Sequence, residues 1–141
     1  MNFAELMYSN GEPIVPGDWL RVFVPRLGVS HHGIVRQVSY LTAGLFIVEV
    51  AHNVKLTGVT ITDLIQFADG QPVFLHRRPL PFQVPEILER VDANMGRPYH
   101  LFAQNCEHFA SFAFTGEAES TSVKTAGALT AAAIIIGFLG S

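Results

Sequence analysis

The chain has 141 residues, a formal net charge of -3, 49% hydrophobic residues and 15% charged residues. This length fits one domain with one core, and the lack of a basic surplus argues against nucleic acid as a partner. The apolar composition favours a substrate or a surface that is itself apolar, so lipid is the first class to consider.

The sequence contains a single cysteine, Cys106. One cysteine cannot form an intramolecular disulfide or build a cysteine-rich zinc site, so its thiol is either inert packing or a reactive group. The segment Met1–Asn10 has no basic start followed by an apolar run, so we expect no secretory signal and a cytoplasmic location.

The first half of the chain is typical of an antiparallel sheet. The turn residues Pro16-Gly17-Asp18 precede an alternating segment, and Asp18 is expected to satisfy only the backbone of that turn. A loop over Pro25–Ser30 and a hairpin turn at Thr42-Ala43-Gly44 separate runs rich in β-branched residues. The predicted strands are Trp19–Val24, His31–Tyr40, Leu45–His52 and Val73–Arg77.

Helical patterns follow the predicted hairpin. Thr60–Phe67 is expected to form a short helix with its polar start at Thr62, and Pro85–Gly96 is the clearest amphipathic segment. A further helix should begin at Asn105, a good N-cap residue, and this helix would carry Cys106 in its first turn. Its apolar face would comprise Cys106, Phe109, Ala110 and Ala113.

The C-terminal segment Ala126–Gly140 is uncharged and almost entirely apolar. As a helix it would be about 22 Å long, which is shorter than a bilayer core of about 30 Å. Three roles are open for it: a membrane anchor, a helix packed on the domain, or a contact with another chain.

Cysteine chemistry depends on the thiolate, whereas a free thiol with a pKa of about 8.5 is mostly protonated at neutral pH. The start of a helix stabilises negative charge at Cys106, and the Cys106 backbone N–H could contribute to an oxyanion hole. The usual partner is an imidazole that accepts the thiol proton and is held in the required tautomer by another polar group.

Several histidines could fill that role. His108 is two residues along the helix from Cys106, on roughly the opposite side, so we expect it to be structural. His31 and His32 are adjacent on a strand and point to opposite faces, so at most one of them can reach the thiol. His52 ends the next strand and could hydrogen-bond to the inward histidine, which would produce a Cys-His-His arrangement.

Two simpler interpretations compete with catalysis. A lone cysteine on an apolar helix face is commonly a small buried hydrophobe. Alternatively, Cys106, His31 and His52 could supply three zinc ligands and leave one position open for water. The sequence has no dense ligand spacing such as a HExxH pair, which disfavours the metal site.

The segment Asn105-Cys106-Glu107-His108-Phe109 resembles the signature of the lecithin:retinol acyltransferase-like family, which includes the H-Ras-suppressor-like phospholipase/acyltransferases. Further stretches agree in the same order, so that the resemblance extends over about Pro16–Val123. These stretches are Pro16-Gly17-Asp18, His31-His32-Gly33-Ile34-Val35, Val50-Ala51-His52 and Gly96–Leu101.

This resemblance implies an α+β domain with a permuted papain-like fold of the NlpC type, in which an antiparallel sheet packs on the cysteine-bearing helix. It implies that Cys106 is the nucleophile, His31 the general base and His52 the residue that orients the base. Asn105, Glu107 and His108 would support the motif. His32 falls where the family has an aromatic residue, so the resemblance selects His31 over His32.

The expected function is that of a thiol acyltransferase or phospholipase. It would form an acyl-thioester on Cys106 from a phospholipid or another acyl ester and pass the acyl group to water, an amine or an alcohol. No cofactor or metal is required. The alternatives are a cysteine peptidase or amidase on the same scaffold, or a non-catalytic lipid-binding module.

The chain is thus expected to comprise an acyl-transfer domain over residues 1–124 and an apolar tail over residues 125–141. Several members of the family carry an apolar C-terminal anchor, a role that Ala126–Gly140 would fit. A cytoplasmic protein associated with a membrane through this tail is the resulting expectation.

Overall fold

The computed structural model describes residues 7–42, 45–98 and 106–117. For Cys106 it describes the backbone alone. Within these residues the chain forms an α+β domain built on a five-stranded antiparallel sheet of order β4-β3-β2-β1-β5. The strands are β1 (Trp19–Val24), β2 (Val29–Thr42), β3 (Leu45–Val54), β4 (Gly58–Asp63) and β5 (Val73–Arg77). The helices are α1 (Leu64–Ala68), α2 (Val84–Ala93) and α3 (Cys106–Thr115), and a 3-10 turn over Pro81–Gln83 precedes α2.

The predicted strands are present, and two of them are longer than expected. β1 and β5 have the predicted bounds, because the alternation of residues along each is a local signal. β2 already begins at Val29, inside the predicted loop, since Val29 pairs with Val24 at the end of β1. β2 and β3 then form one long hairpin, and its predicted turn residues Ala43 and Gly44 lie outside the described residues.

The prediction of a helix over Thr60–Phe67 was wrong for its first half. Residues Gly58–Asp63 form β4, which pairs with β3 along its whole length. β-branched residues suit a strand better than a helix, and the ladder with β3 satisfies their backbone groups. Only Leu64–Ala68 is helical, and the carboxylate of Asp63 caps it by accepting a hydrogen bond from the backbone N–H of Gln66 at 2.7 Å.

Helix α2 follows its prediction apart from its end. Pro85 lies in the first turn, and Ile87 and Val91 are fully buried. The helix ends at Ala93, whereas the sequence predicted an end at Gly96, because Asn94 leaves helical geometry as the C-cap. Arg90 in the last turn of α2 donates hydrogen bonds to the carbonyls of Ala113 and Phe114, which attaches α2 to the end of α3.

Two apolar layers cover opposite faces of the sheet. On one face, helices α2 and α3 pack against alternate residues of the central strands, including Trp19, Ile34 and Ala51. On the other face, α1 covers the intervening residues through Leu64 and Phe67. A strand sends successive side chains to opposite faces, so adjacent residues of β2 belong to different layers.

Gly58, the first residue of the edge strand β4, lies against the segment that follows α2. Its φ is +75°, and a Cβ atom at this position would lie 2.1 Å from the carbonyl oxygen of Arg97. The next residue, Val59, donates to that same oxygen at 2.9 Å and accepts from the N–H of Gly96 at 2.9 Å. Only glycine allows this approach, which fixes where the chain starts towards α3.

The expectation that Asp18 serves only its own turn was wrong. Its side chain is fully buried and accepts hydrogen bonds from the hydroxyl of Tyr8 at 2.8 Å and from the guanidinium of Arg78 at 2.8 and 2.9 Å. It also accepts from the backbone N–H of Val15. The carboxylate therefore joins the N-terminal segment, the start of β1 and the residues after β5.

We predict that Arg78→Met destabilises the domain by about 3 kcal/mol, because it leaves the buried Asp18 carboxylate without its counter-ion. Urea unfolding of the purified variant measures this loss. The matched control is Arg97→Met, which removes an exposed arginine and should change the free energy of unfolding by less than about 0.5 kcal/mol. Equal stability of the two variants would contradict the assignment.

Candidate active site

The structure brings His31 and His52 together. Nε2 of His31 lies 2.8 Å from Nδ1 of His52, and the two rings meet edge to face. The pair joins neighbouring strands β2 and β3, which is the contact between histidines that the sequence predicted. Nε2 of His52 then lies 2.9 Å from Oγ1 of Thr62 on β4, a contact that no sequence pattern signalled.

Phe67 of α1 packs against both histidines, with ring centroids 5.1 Å from each. It approaches them because Gly33 has no side chain: a Cβ atom there would lie 2.9 Å from the Phe67 ring and 2.7 Å from Val50. The histidine pair thus lies on the sheet face that α1 covers, and the Phe67 ring packs against it.

Burial keeps both histidines neutral at neutral pH. It lowers the pKa of His31 to about 4. It also lowers the pKa of His52 to about 3, with a smaller contribution from the neighbouring charge of His31. A neutral His31 has an unprotonated ring nitrogen, and a thiolate beside it would raise its pKa towards the range that a general base needs.

His32 points to the opposite face and has other partners. The indole N–H of Trp19 donates to its Nδ1 at 2.9 Å, so the neutral ring carries its proton on Nε2. That Nε2 faces the carboxylate of Glu107 at 3.6 Å. Burial, followed by the charges of His76, His31 and Arg21, lowers the pKa of His32 to about 3. His32 therefore links Trp19 of the sheet to Glu107 of α3.

Helix α3 begins at Cys106 and ends at Thr115. Phe109, Ala110 and Ala113 are fully buried on one face, as their spacing predicts. His108 is also fully buried, which agrees with a structural role. The predicted N-cap Asn105 and the side chain of Cys106 lie outside the described part, so the pairing of Cys106 with His31 remains a prediction.

An open cleft of about 1270 Å³ lies at one end of the sheet, and residues from both faces line it. His31, His52 and Phe67 border it from one side, and His32 and Glu107 border it from the other. The histidine pair and the first turn of α3 therefore open onto one continuous space, although they belong to opposite faces of the sheet.

The remaining predicted features fall partly outside the described residues. Among residues 7–42, 45–98 and 106–117, no three histidine, cysteine or acidic side chains are grouped so that they could hold a metal ion. The same residues include no helix long and apolar enough to cross a membrane. The tail Ala126–Gly140 lies outside them. His76 is exposed, and its ring packs at a tilt against Trp19, with 4.4 Å between ring centroids.

Comparison with known proteins identifies the family. Residues 12–119 match the sequence profile of the family described as lecithin retinol acyltransferase (LRAT). The match covers well over half of the chain, so the chain belongs to this family, as the motif around Cys106 predicted. Membership supports an activity of the acyltransferase or phospholipase type. No curated protein gives a significant match.

We predict that the domain loses stability as the pH falls from about 6.5 to about 4. His31, His32 and His52 have folded-state pKa values of about 4, 3 and 3, below the value of 6.5 for a free histidine. Between these limits the unfolded chain binds protons that the folded chain does not, which costs up to about 1.4 kcal/mol per pH unit for each histidine.

Urea unfolding at pH 7, 6 and 5 measures this dependence. In a His52→Gln variant the slope should be smaller, because one of the buried histidines that take up protons on unfolding is gone. A free energy of unfolding that stays constant from pH 7 to pH 5 would show that these histidines are not buried in neutral form.

We also predict that Gly33→Ala displaces Phe67 from the histidine pair and destabilises the domain by about 1–3 kcal/mol, because the added methyl group overlaps Phe67 and Val50. The double variant Gly33→Ala/Phe67→Leu should recover part of that loss, since the smaller side chain makes room. Thermal unfolding of both variants checks this. The site would be looser than described if the single variant were as stable as the wild type.

Proposed function

We propose that this chain is a cysteine-dependent acyltransferase and lipid hydrolase of the phospholipase A type. It would form an acyl-thioester on Cys106 and transfer the acyl group to water, an amine or an alcohol. One observation carries the proposal: a neutral, hydrogen-bonded His31–His52 pair borders the same cavity as the first turn of the helix that begins with Cys106.

The order of elements supports a permuted papain-like arrangement. The histidine strands β2 and β3 precede the cysteine-bearing helix α3 in the chain, and α3 packs on the antiparallel sheet. Because His31 and α3 lie on opposite faces of the sheet, the thiol of Cys106 would meet His31 around the end of the sheet, through the cleft that both border.

The ring orientation of His31 supports its role as the base. Its Nε2 faces His52, so Nδ1 is the nitrogen left to take the thiol proton. His52 would hold the ring and accept the Nε2–H hydrogen bond, which strengthens when His31 becomes an imidazolium. The thiolate would be stabilised by that imidazolium and by the positive end of α3.

The acyl transfer would then proceed in two steps. The thiolate attacks the ester carbonyl carbon, and the backbone N–H of Cys106 is one candidate donor to the resulting oxyanion. As the carbon–oxygen bond to the leaving alcohol breaks, His31 returns its proton to that alcohol, which leaves an acyl-thioester. The acceptor, deprotonated by His31, attacks the thioester, and the thiolate leaves.

The lining of the cavity favours a lipid ester over a peptide. The hairpin between β1 and β2 contributes the exposed apolar side chains of Phe23, Leu27 and Val29. Arg26 and Lys55 border the same space, where a cationic side chain could neutralise a lipid phosphate. In this proposal the tail Ala126–Gly140 would anchor the domain to the membrane that supplies the substrate.

We predict a covalent intermediate on Cys106. After incubation with mixed phospholipid vesicles, intact-mass spectrometry should show an acyl-sized increase that hydroxylamine removes, because thioesters are cleaved by that nucleophile. Cys106→Ala and His31→Ala should lose the adduct. The control Arg97→Gln replaces an exposed residue that does not line the cavity and should retain the adduct.

Other outcomes would redirect the assignment. An adduct that persists in His31→Ala would remove His31 from the base role. The absence of both adduct and free fatty acid with every lipid tested would contradict the proposal. In that case, turnover of peptide or amide substrates would identify a peptidase or amidase, and vesicle binding without turnover would identify a lipid-binding module.

A further inference from the structure

The hydrogen bonds of the site do not end at His52. Its Nδ1 faces His31 at 2.8 Å, and its Nε2 faces Oγ1 of Thr62 at 2.9 Å. The chain of contacts therefore runs across three adjacent strands, from His31 on β2 through His52 on β3 to Thr62 on β4.

Two proton arrangements satisfy these distances when both rings are neutral. In the first, His31 Nε2–H donates to His52, and His52 Nε2–H donates to Thr62, which leaves Nδ1 of His31 unprotonated. In the second, every donor is reversed: Thr62 O–H donates to His52, His52 Nδ1–H donates to His31, and His31 carries its proton on Nδ1. Only the first arrangement allows His31 to accept a proton from a thiol.

The first arrangement requires an acceptor for the Nε2–H of His52. His52 is only 6% exposed, so an Nε2–H without a protein partner would carry a desolvation penalty. The neighbouring carboxylate of Asp63 accepts from the backbone N–H of Gln66 as the cap of α1. The hydroxyl of Thr62 is the group placed at hydrogen-bond distance.

We propose that Thr62 is a positioning residue that holds His52, and through it His31, in the tautomer that a general base needs. Thr62 acts through His52 and does not contact the reacting atoms. Its consequence for catalysis rests on the proposed function, whereas its consequence for the position of the protons does not.

The burial of the pair supports this assignment. Because burial keeps His31 and His52 neutral at neutral pH, each ring carries one proton there, and the tautomer is a defined property of the resting site. Replacing Thr62 with valine would keep the shape and β-branching of the side chain but remove the acceptor. The proton of His52 would then favour Nδ1, where His31 accepts it, and His31 would carry its own proton on the wrong nitrogen.

The experiment compares wild type, Thr62→Val, Thr62→Ser and a matched control, Thr60→Val. Thr60 lies on the same strand and pairs directly with His52 in the register of β3 and β4. Long-range proton–nitrogen NMR spectra at pH 7 report which ring nitrogen of each histidine is protonated. Pre-steady-state formation of the thioester at several lipid concentrations separates the rate constant from the apparent affinity.

We expect Nε2–H on both histidines in the wild type, in Thr62→Ser and in Thr60→Val. In Thr62→Val the proton of His52 should move to Nδ1, and the rate constant should fall about 10- to 100-fold with little change in apparent affinity. A wild-type spectrum with His52 protonated on Nδ1 would overturn the proposal without any variant. So would a Thr62→Val protein with unchanged tautomers.

The same data separate this inference from the proposed function. If Thr62 controls the tautomers but the wild type forms no thioester with any acyl ester, the assignment of Thr62 stands and the acyl-transfer proposal fails. If the thioester forms at the same rate in Thr62→Val and in the wild type, the acyl-transfer proposal stands and Thr62 has no positioning role.

Discussion

The arrangement of the site depends on the hydrogen bond between His31 and His52. It exists because β2 and β3 pair in a register that places the two imidazoles on the same face, 2.8 Å apart at their facing nitrogens. A shift of one residue along either strand would send one ring to the opposite face. The backbone ladder of the hairpin therefore determines the chemistry of the pair.

Adjacent residues of β2 have different roles because their side chains lie on opposite faces of the sheet. His31 faces α1 and joins the buried pair, whereas His32 faces α3 and links Trp19 to Glu107 beside Cys106. One strand thus positions the expected base and, through its neighbour, the helix that carries the expected nucleophile. Residues of both arrangements line the cavity at the end of the sheet, namely His31 and His52 on one face and His32 and Glu107 on the other.

Sequence patterns predicted the local features and the hairpin of β2 and β3, but missed the pairing of β4 with β3. The bounds of β1 and β5 and the buried face of α3 follow from periodicity within single segments. The choice between His31 and His32 could not be made from alternation alone, because the helices that cover the two faces come later in the chain than β2. The contact of Thr62 with His52 was invisible for the same reason, since the residues around Thr62 were interpreted as a helix rather than as a strand paired with β3.

The rate of cysteine alkylation by iodoacetamide as a function of pH measures whether His31 activates Cys106. Cys106 is the only cysteine, so the signal has one source. If His31 is the base, Cys106 reacts well below the pH at which an ordinary thiol, with a pKa of about 8.5, becomes reactive, and His31→Gln restores the ordinary profile. A wild-type profile with a midpoint near 8.5 that His31→Gln leaves unchanged would show that His31 does not activate the thiol.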